Sequence, residues 1–177
     1  MVVEYSLFVI KPDGMSRATE ICSKVNRSGL ETIAVVSGIA NEQLIREHYL
    51  HVETKYGADV LRLIVEYMGV GQVLAEVVKG DDAIRRLRAL CGDKTCPARC
   101  SKGSIRRDYG KDSIEYATAQ NRALRNVVHS SETLSDATRE ISLWFCKYDL
   151  QDSSYRSVDQ KDIAFAIAEN SALLNAR

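Results

Sequence analysis

The sequence predicts an α+β fold, an antiparallel sheet whose strands and helices follow the order βαββαβ. Three observations predict it. Short runs of β-branched, aromatic and aliphatic residues alternate with segments whose apolar residues recur at helical spacing. Glycine, proline and Asn or Asp stand at the boundaries between them. The alternation breaks once, over residues 92–110, and a stretch without periodicity inside a compact domain is usually functional.

The elements justify themselves in order. Residues 5–10 read as a buried strand. Lys11-Pro12-Asp13-Gly14 fits a type I turn, because proline presets φ at its second position and glycine suits the fourth. Lys11 is therefore expected at a strand end, pointing out of a tight turn. Residues 18–28 form a helix with Ile21 and Val25 one turn apart and Gly29 as its stop. Residues 30–39 are the second strand. Asn41 caps a helix that sets Leu44, Ile45 and Tyr49 on one face. Residues 58–68 form another helix, with Leu61, Ile64, Val65 and Met68 inward, broken by Gly69 and Gly71. Residues 72–78 are the third strand. Asp81 or Asp82 caps a helix through Leu90, whose stripe is Ala83, Ile84, Leu87 and Leu90.

Beyond the long loop, Asp112-Ser-Ile-Glu115 reads as a capping box opening a short helix, with Ile114, Ala117 and Leu124 placed to cover a ligand mouth. Residues 126–130 are the fourth strand. Residues 134–145 are a helix that buries Leu134, Ala137, Ile141, Trp144 and Phe145. The tail from Lys147 is polar and turns helical near Asp159, with Ile163, Ile167, Ala168 and Leu174 on one side. With the two middle helices as an insertion between paired strands, this order matches a ferredoxin-like βαββαβ sheet with helices on one face, a long loop without periodicity and a C-terminal helical tail. That fold hosts many functions and so decides none.

Composition narrows the class. A length of 177 residues suits one domain over 1–177, and 45% hydrophobic with 27% charged residues is ordinary for a globular protein. Basic and acidic residues are 24 each, so no net charge draws the whole molecule to nucleic acid or to a membrane. No basic start followed by a long apolar run marks a signal peptide, and no apolar run is long enough to span a bilayer. Five cysteines, odd in number and irregularly spaced, suggest reduced thiols and a cytoplasmic setting. Cys91, Cys96 and Cys100 crowd one segment, yet three thiols without a nearby histidine make a poor zinc site. Metal bound directly by the protein is not expected.

The chemistry concentrates in two segments. In Asn126-Val-Val-His129-Ser-Ser-Glu132, a histidine stands at a strand end before hydroxyls and a helix start. Imidazole is a competent nucleophile when one nitrogen is free and an acceptor holds the other. Glu140, about two turns into the next helix, is placed to reach back. Alone, such a histidine is more often a satisfied core group. The long loop adds Lys94, Arg99, Lys102, Arg106 and Arg107 against Asp93 and Asp108, with Arg88 just before it and the Thr95 hydroxyl among them. Arginine forks suit phosphate oxygens, although a solvated basic loop is an equal reading of the charges alone.

Together with Phe8-Val-Ile-Lys11-Pro-Asp-Gly14, His48-Tyr49, Tyr67-Met68, Gly103-Ser-Ile-Arg106-Arg-Asp-Tyr109 and Glu140-Ile-Ser-Leu-Trp-Phe145, the segment ending in His129-Ser-Ser-Glu132 resembles the nucleoside diphosphate kinase family, over residues 4–146. Residues 147–177 are then an extension. The resemblance implies a phosphotransferase that moves the γ-phosphoryl of a nucleoside triphosphate to a nucleoside diphosphate. It implies a ping-pong mechanism through phosphohistidine, with low base selectivity. His129 would be the nucleophile and Glu140 its orienter. Tyr49 would position histidine and phosphate, and Ser131 would support Glu140 or His129. Arg88, Thr95 and Arg106 would hold nucleotide phosphates. Lys11 and Asn126 would bond the sugar, with Lys11 also reaching phosphate. The family's base-stacking aromatic finds only Val60 or a displaced Tyr56, and its usual glycine after the histidine is Ser130. Magnesium would arrive on the nucleotide phosphates. A homo-oligomer is implied, a hexamer in preference to a tetramer. A non-catalytic nucleotide-binding scaffold is the second reading. A nucleic-acid module is disfavoured, because the strands offer mainly aliphatic residues where base stacking wants aromatics.

Overall fold

A computed structural model of the chain describes residues 2–176. β1 (Val3–Ile10) pairs antiparallel with β3 (Gln72–Asp81) on one side and with β4 (Val128–Ser130) on the other. β2 (Glu31–Ile39) lies outside β3, and β5 (Gln151–Ser157) outside β2, giving the order β4-β1-β3-β2-β5. The first four strands in that order are the ferredoxin-like sheet that the sequence predicts.

Strand alternation divides β1 between two cores. Phe8 and Ile10 meet α1 (Ala18–Arg27) and α5 (Ala83–Cys91), the two crossover helices, through Ile21, Val25, Ala83 and Leu87. Leu7 and Val9 face the other way. There they join Leu44 and Ile45 of α2 (Glu42–His48), Leu61 and Met68 of α4 (Ala58–Met68), Ile141 of α8 (Leu134–Ser142) and Ile163 of α9 (Gln160–Asn175). Helices thus cover both faces, not one. β1 and β3 carry apolar side chains at both parities, and a strand of that kind needs shelter on each side.

Other boundaries also differ from the sequence reading. The Lys11-to-Gly14 turn, closed by a 2.8 Å bond from the Gly14 amide to the Lys11 carbonyl, runs on as a 3-10 helix (Pro12–Arg17). α3 (Leu50–Tyr56) follows α2 directly. Asp82 does not cap α5 with its side chain; Glu4 accepts from the Ile84 amide instead, at 3.3 Å. The 92–110 loop contains a 3-10 turn (Pro97–Arg99) and α6 (Ile105–Tyr109). α7 (Ile114–Ala119) forms with Ser113 as its cap, burying Ala117 but leaving Ile114 exposed. β4 is two residues shorter than expected, and α8 ends in a π turn (Leu143–Lys147). In α9 the inward residues are Ile163, Ala166 and Asn170, while Ala168 and Leu174 are exposed. All five cysteines are free, and among the described residues no helix is long and apolar enough to cross a membrane.

Candidate active site

The site forms where the 3-10 turn after β1 meets the entry to β4. Val127 stands at that entry with φ 70°, and the Val128 amide donates back to the Asn126 carbonyl at 2.7 Å. This is the strained form of the γ-turn, held by a β-branched residue that rarely adopts positive φ. Strain of this kind is of order 1–3 kcal/mol and must be overdetermined by its surroundings. Here the Lys11 amide donates to the Val127 carbonyl at 2.8 Å, and the Val127 amide donates to Asp13 at 3.1 Å. The other oxygen of Asp13 accepts from the Tyr67 hydroxyl. Gly14 permits the close approach, since a Cβ there would lie 2.8–2.9 Å from Val127 and Ile10.

Beyond the turn, His129 stands opposite Val9 in β4. Its Nε2 lies 2.9 Å from Glu140 Oε2. The Ser131 hydroxyl donates to the same carboxylate oxygen at 2.7 Å and accepts from the Leu7 amide at 3.1 Å. Burial of Glu140 opposes ionisation, but the neighbouring His129, then His48 and last the Ser131 hydroxyl, overcome it and hold the carboxyl at about 2. Glu140 is therefore an anion that accepts from Nε2 of His129, and Nδ1 is the ring nitrogen that the carboxylate does not engage.

His48 completes the floor. Its ring packs edge-to-face on His129 (4.4 Å between centroids) and Tyr49 (4.5 Å). The Trp144 indole, which can only donate, bonds His48 Nδ1 at 3.1 Å. Nδ1 is thus an acceptor, the proton sits on Nε2, and burial keeps the ring neutral. His48, His129 and Glu140 are close enough to suggest a metal triad. A metal on His48 Nε2 would need that proton gone while Trp144 still occupies Nδ1, so these donors do not fit one.

The cations lie on the other side. Lys11 is buried rather than pointing outward, because its Nζ donates to Asn126 Oδ1 at 2.7 Å beneath the rings of Tyr49 and Tyr67. Burial, and then the charge of Arg106, lower its pKa to about 7. Asn126 in turn donates to the Thr95 carbonyl at 3.1 Å. Arg106 bonds the carbonyls of Gly92, Lys94 and Val128 at 3.0–3.2 Å, and its buried Nε has no partner among the described residues. The buried hydroxyl of Tyr49 is likewise without one. Such groups await an acceptor. Arg88, half exposed, is held by Glu132 at 3.1 Å. Val60 and Tyr56 are both exposed.

The structure thus gathers His129, Glu140, Ser131, Tyr49, Lys11, Asn126, Arg106 and the Thr95 backbone, while Arg88 pairs with Glu132 and Val60 is exposed on α4. Asp13, Tyr67 and His48 were not among the residues singled out from the sequence. Each stands inside a quoted motif, Asp13 in that of Lys11, His48 beside Tyr49 and Tyr67 beside Met68.

A histidine oriented by a buried carboxylate, with the Lys11 and Arg106 cations and the Tyr49 hydroxyl alongside on a ferredoxin-like sheet, defines a phosphotransferase class. The nucleoside diphosphate kinase family model matches residues 4–150. The Borreliella burgdorferi nucleoside diphosphate kinase is 32% identical over 149 residues, 82% of this chain and 89% of that one. Human nucleoside diphosphate kinase 3 is 36% identical over 146 residues, 80% of this chain and 77% of that one. Among solved structures, the Borrelia burgdorferi enzyme with bound vanadate and ADP, a transition-state mimic, superposes with a TM-score of 0.78 at 30% identity, over 92% of this chain and 97% of the other. An NDP kinase from Pyrobaculum aerophilum gives 0.73 at 28% identity, over 85% and 100%. The chain belongs to the nucleoside diphosphate kinase family, and its chemistry is phosphoryl transfer between nucleotides.

Proposed function

We propose that the transfer runs in two half-reactions through a phosphate carried on His129 Nδ1. The lone pair of Nδ1 attacks the γ-phosphorus, the bond to the bridging oxygen breaks, and the nucleoside diphosphate leaves. A second diphosphate then attacks that phosphorus through a terminal oxygen, the N–P bond breaks, and Nδ1 regains its lone pair. Glu140 holds the Nε2 proton throughout and offsets the positive charge that the ring acquires. Lys11, Arg88, Arg106 and the hydroxyls of Tyr49 and Thr95 face the phosphate charge. Lys11 and Asn126 serve the sugar, and Ser131 steadies Glu140. The observation that carries this reading is the 2.9 Å contact between His129 Nε2 and Glu140, which commits one nitrogen and frees the other.

Magnesium carried on the nucleotide phosphates would supply charge neutralisation. The protein's nearby carboxylates are already committed, Glu132 to Arg88 and Glu140 to His129 and Ser131, which fits a metal that arrives with its nucleotide. Base selectivity is low in this reading, because the polar contacts serve sugar and phosphate while Val60 and Tyr56 offer the base little. Family membership supports a homo-oligomer, a hexamer before a tetramer, and light scattering at micromolar concentration measures it.

Intact mass tests the mechanism. ATP alone adds one phosphoryl group, stable in base and labile in acid, and GDP, CDP, UDP or ADP each discharges it at rates within about a thousandfold, roughly 4 kcal/mol. His129→Ala takes up no phosphoryl group and has no turnover. If His129→Ala labels at the wild-type rate, the nucleophile is another residue. A wild type that binds nucleotide but neither labels nor turns over would instead favour the scaffold reading.

A further inference from the structure

We infer that Asp13 is a positioning residue for the phosphoryl transfer, acting by holding Val127 in its strained turn so that Asn126 and His129 are presented together. The inference rests on His129 being the residue that takes the phosphoryl group.

Asp13 touches three elements at once. It belongs to the 3-10 turn that follows β1, it accepts from the hydroxyl of Tyr67 near the end of α4, and it accepts from the Val127 amide just before β4. A carboxylate suits this place because both oxygens act as acceptors. Tyr67 orients one of them and thereby aims the other. Burial and the charge of Asp13 push the Tyr67 hydroxyl up, so it stays a donor.

What the aimed oxygen holds matters for the site. With φ at 70°, Val127 reverses the chain over a single residue. The reversal leaves the Asn126 side chain between Lys11 Nζ and the Thr95 carbonyl. It also starts β4 in the register that sets His129 opposite Val9. A slip of one residue would turn the histidine to the other face of the sheet. A valine relaxes from positive φ unless both ends of its peptide unit are held. The Lys11 amide holds the carbonyl, and Asp13 holds the amide. Lys11 and Asp13 thus fix from one turn the residues that flank the nucleophile.

The test measures the rate of labelling by ATP in single turnover, in the full chain. Asp13→Ala slows labelling about a hundredfold, as a displacement near 1 Å does to a positioned group. Val127→Gly, combined with it, restores about tenfold or more, because glycine adopts positive φ freely. A purely structural role predicts the opposite sign, since Val127→Gly also empties a buried site and lowers the unfolding midpoint. Should Asp13→Ala fail to fold, Asp13→Leu, which keeps much of the shape but has no acceptor, gives the same comparison. Labelling of Asp13→Ala or Asp13→Leu at the wild-type rate, or a double variant no faster than the single one, overturns the inference. Neither result touches the proposed mechanism, which fails only if the wild type does not label through His129.

Discussion

Lys11 is a buried cation placed against an amide oxygen and two aromatic rings. Its pKa falls from 10.5 to about 7, chiefly through burial. Between those values the unfolded chain binds a proton that the folded chain does not, so stability rises with pH across that window and is lowest below about 7. Each unit is worth about 1.4 kcal/mol, so the free protein loses a few kcal/mol to this group at neutral pH. Lys11→Met removes the titration. In urea unfolding without nucleotide, the wild type gains about 2–4 kcal/mol relative to Lys11→Met between pH 7 and pH 9.5. Parallel pH profiles for the two proteins would show that Lys11 stays fully charged in the fold. The cation is thus held ready for phosphate at a cost in stability. Its identity was legible in the Lys-Pro-Asp-Gly motif, but its burial was not, because the turn chemistry fixes the backbone and says nothing of what closes over the side chain. Glu140 was legible for the contrary reason: helix geometry alone carried its position back to His129. Asp13 and His48 escaped because their partners, Val127 and Trp144, are distant in sequence and the contacts are made only by the tertiary fold.

At the scale of elements, the insert between α6 and β4 is organised by one carboxylate. Asp112 accepts both terminal nitrogens of Arg122, at 2.6 and 2.9 Å, together with the amides of Ser113 (3.0 Å) and Arg125 (2.9 Å). Arg122 holds the Asp112 carboxyl below its usual range, against the opposing effect of burial. The clasp ends one residue before Asn126, so it sets where the chain enters the site. Asp112→Ala is expected to lower unfolding stability by about 1–3 kcal/mol and to raise the nucleotide KM more than it changes kcat. A stability loss with wild-type KM would mean that the clasp does not reach Asn126. The helix in this insert was legible because Asp112-Ser-Ile-Glu115 announces a start, although the cap proves to be Ser113, since Arg122 takes Asp112 and Arg99 takes Glu115. α3 and α6 were not, as seven and five residues are too few for periodicity to rise above the noise of composition. β5 was invisible for another reason. Gln-Asp-Ser-Ser-Tyr-Arg-Ser is exposed on both faces, so neither face is apolar and only the open edge of β2 makes the segment a strand.

On the scale of the whole molecule, the C-terminal extension closes the sheet at both sides. β5 pairs with the outer edge of β2. At the opposite side β4 covers only the end of β1, and the Ser131 amide, at 3.2 Å from the Leu7 carbonyl, and two side chains serve Leu7 and Tyr5 beyond it. Ser131 serves Leu7, and Asn170 of α9 accepts from the Tyr5 amide at 3.1 Å and donates to its carbonyl at 2.8 Å. β5 is itself a poor template for further pairing, being polar and interrupted at Asp152, where φ is 45°. α9 also lies along α8, the helix that carries Glu140. Two variants separate these roles. Asn170→Leu leaves the Tyr5 amide and carbonyl buried without partners, which costs about 2–4 kcal/mol and lowers the unfolding midpoint by about 5–15 °C. Its β2 edge remains covered, so its size by light scattering stays that of the full chain at every concentration. Deleting residues 150–177 removes both closures. That protein should unfold earlier still, and its scattering mass should climb with concentration as uncovered β2 edges pair. A truncated chain with the full-length midpoint and a constant mass would show that the sheet does not depend on its extension.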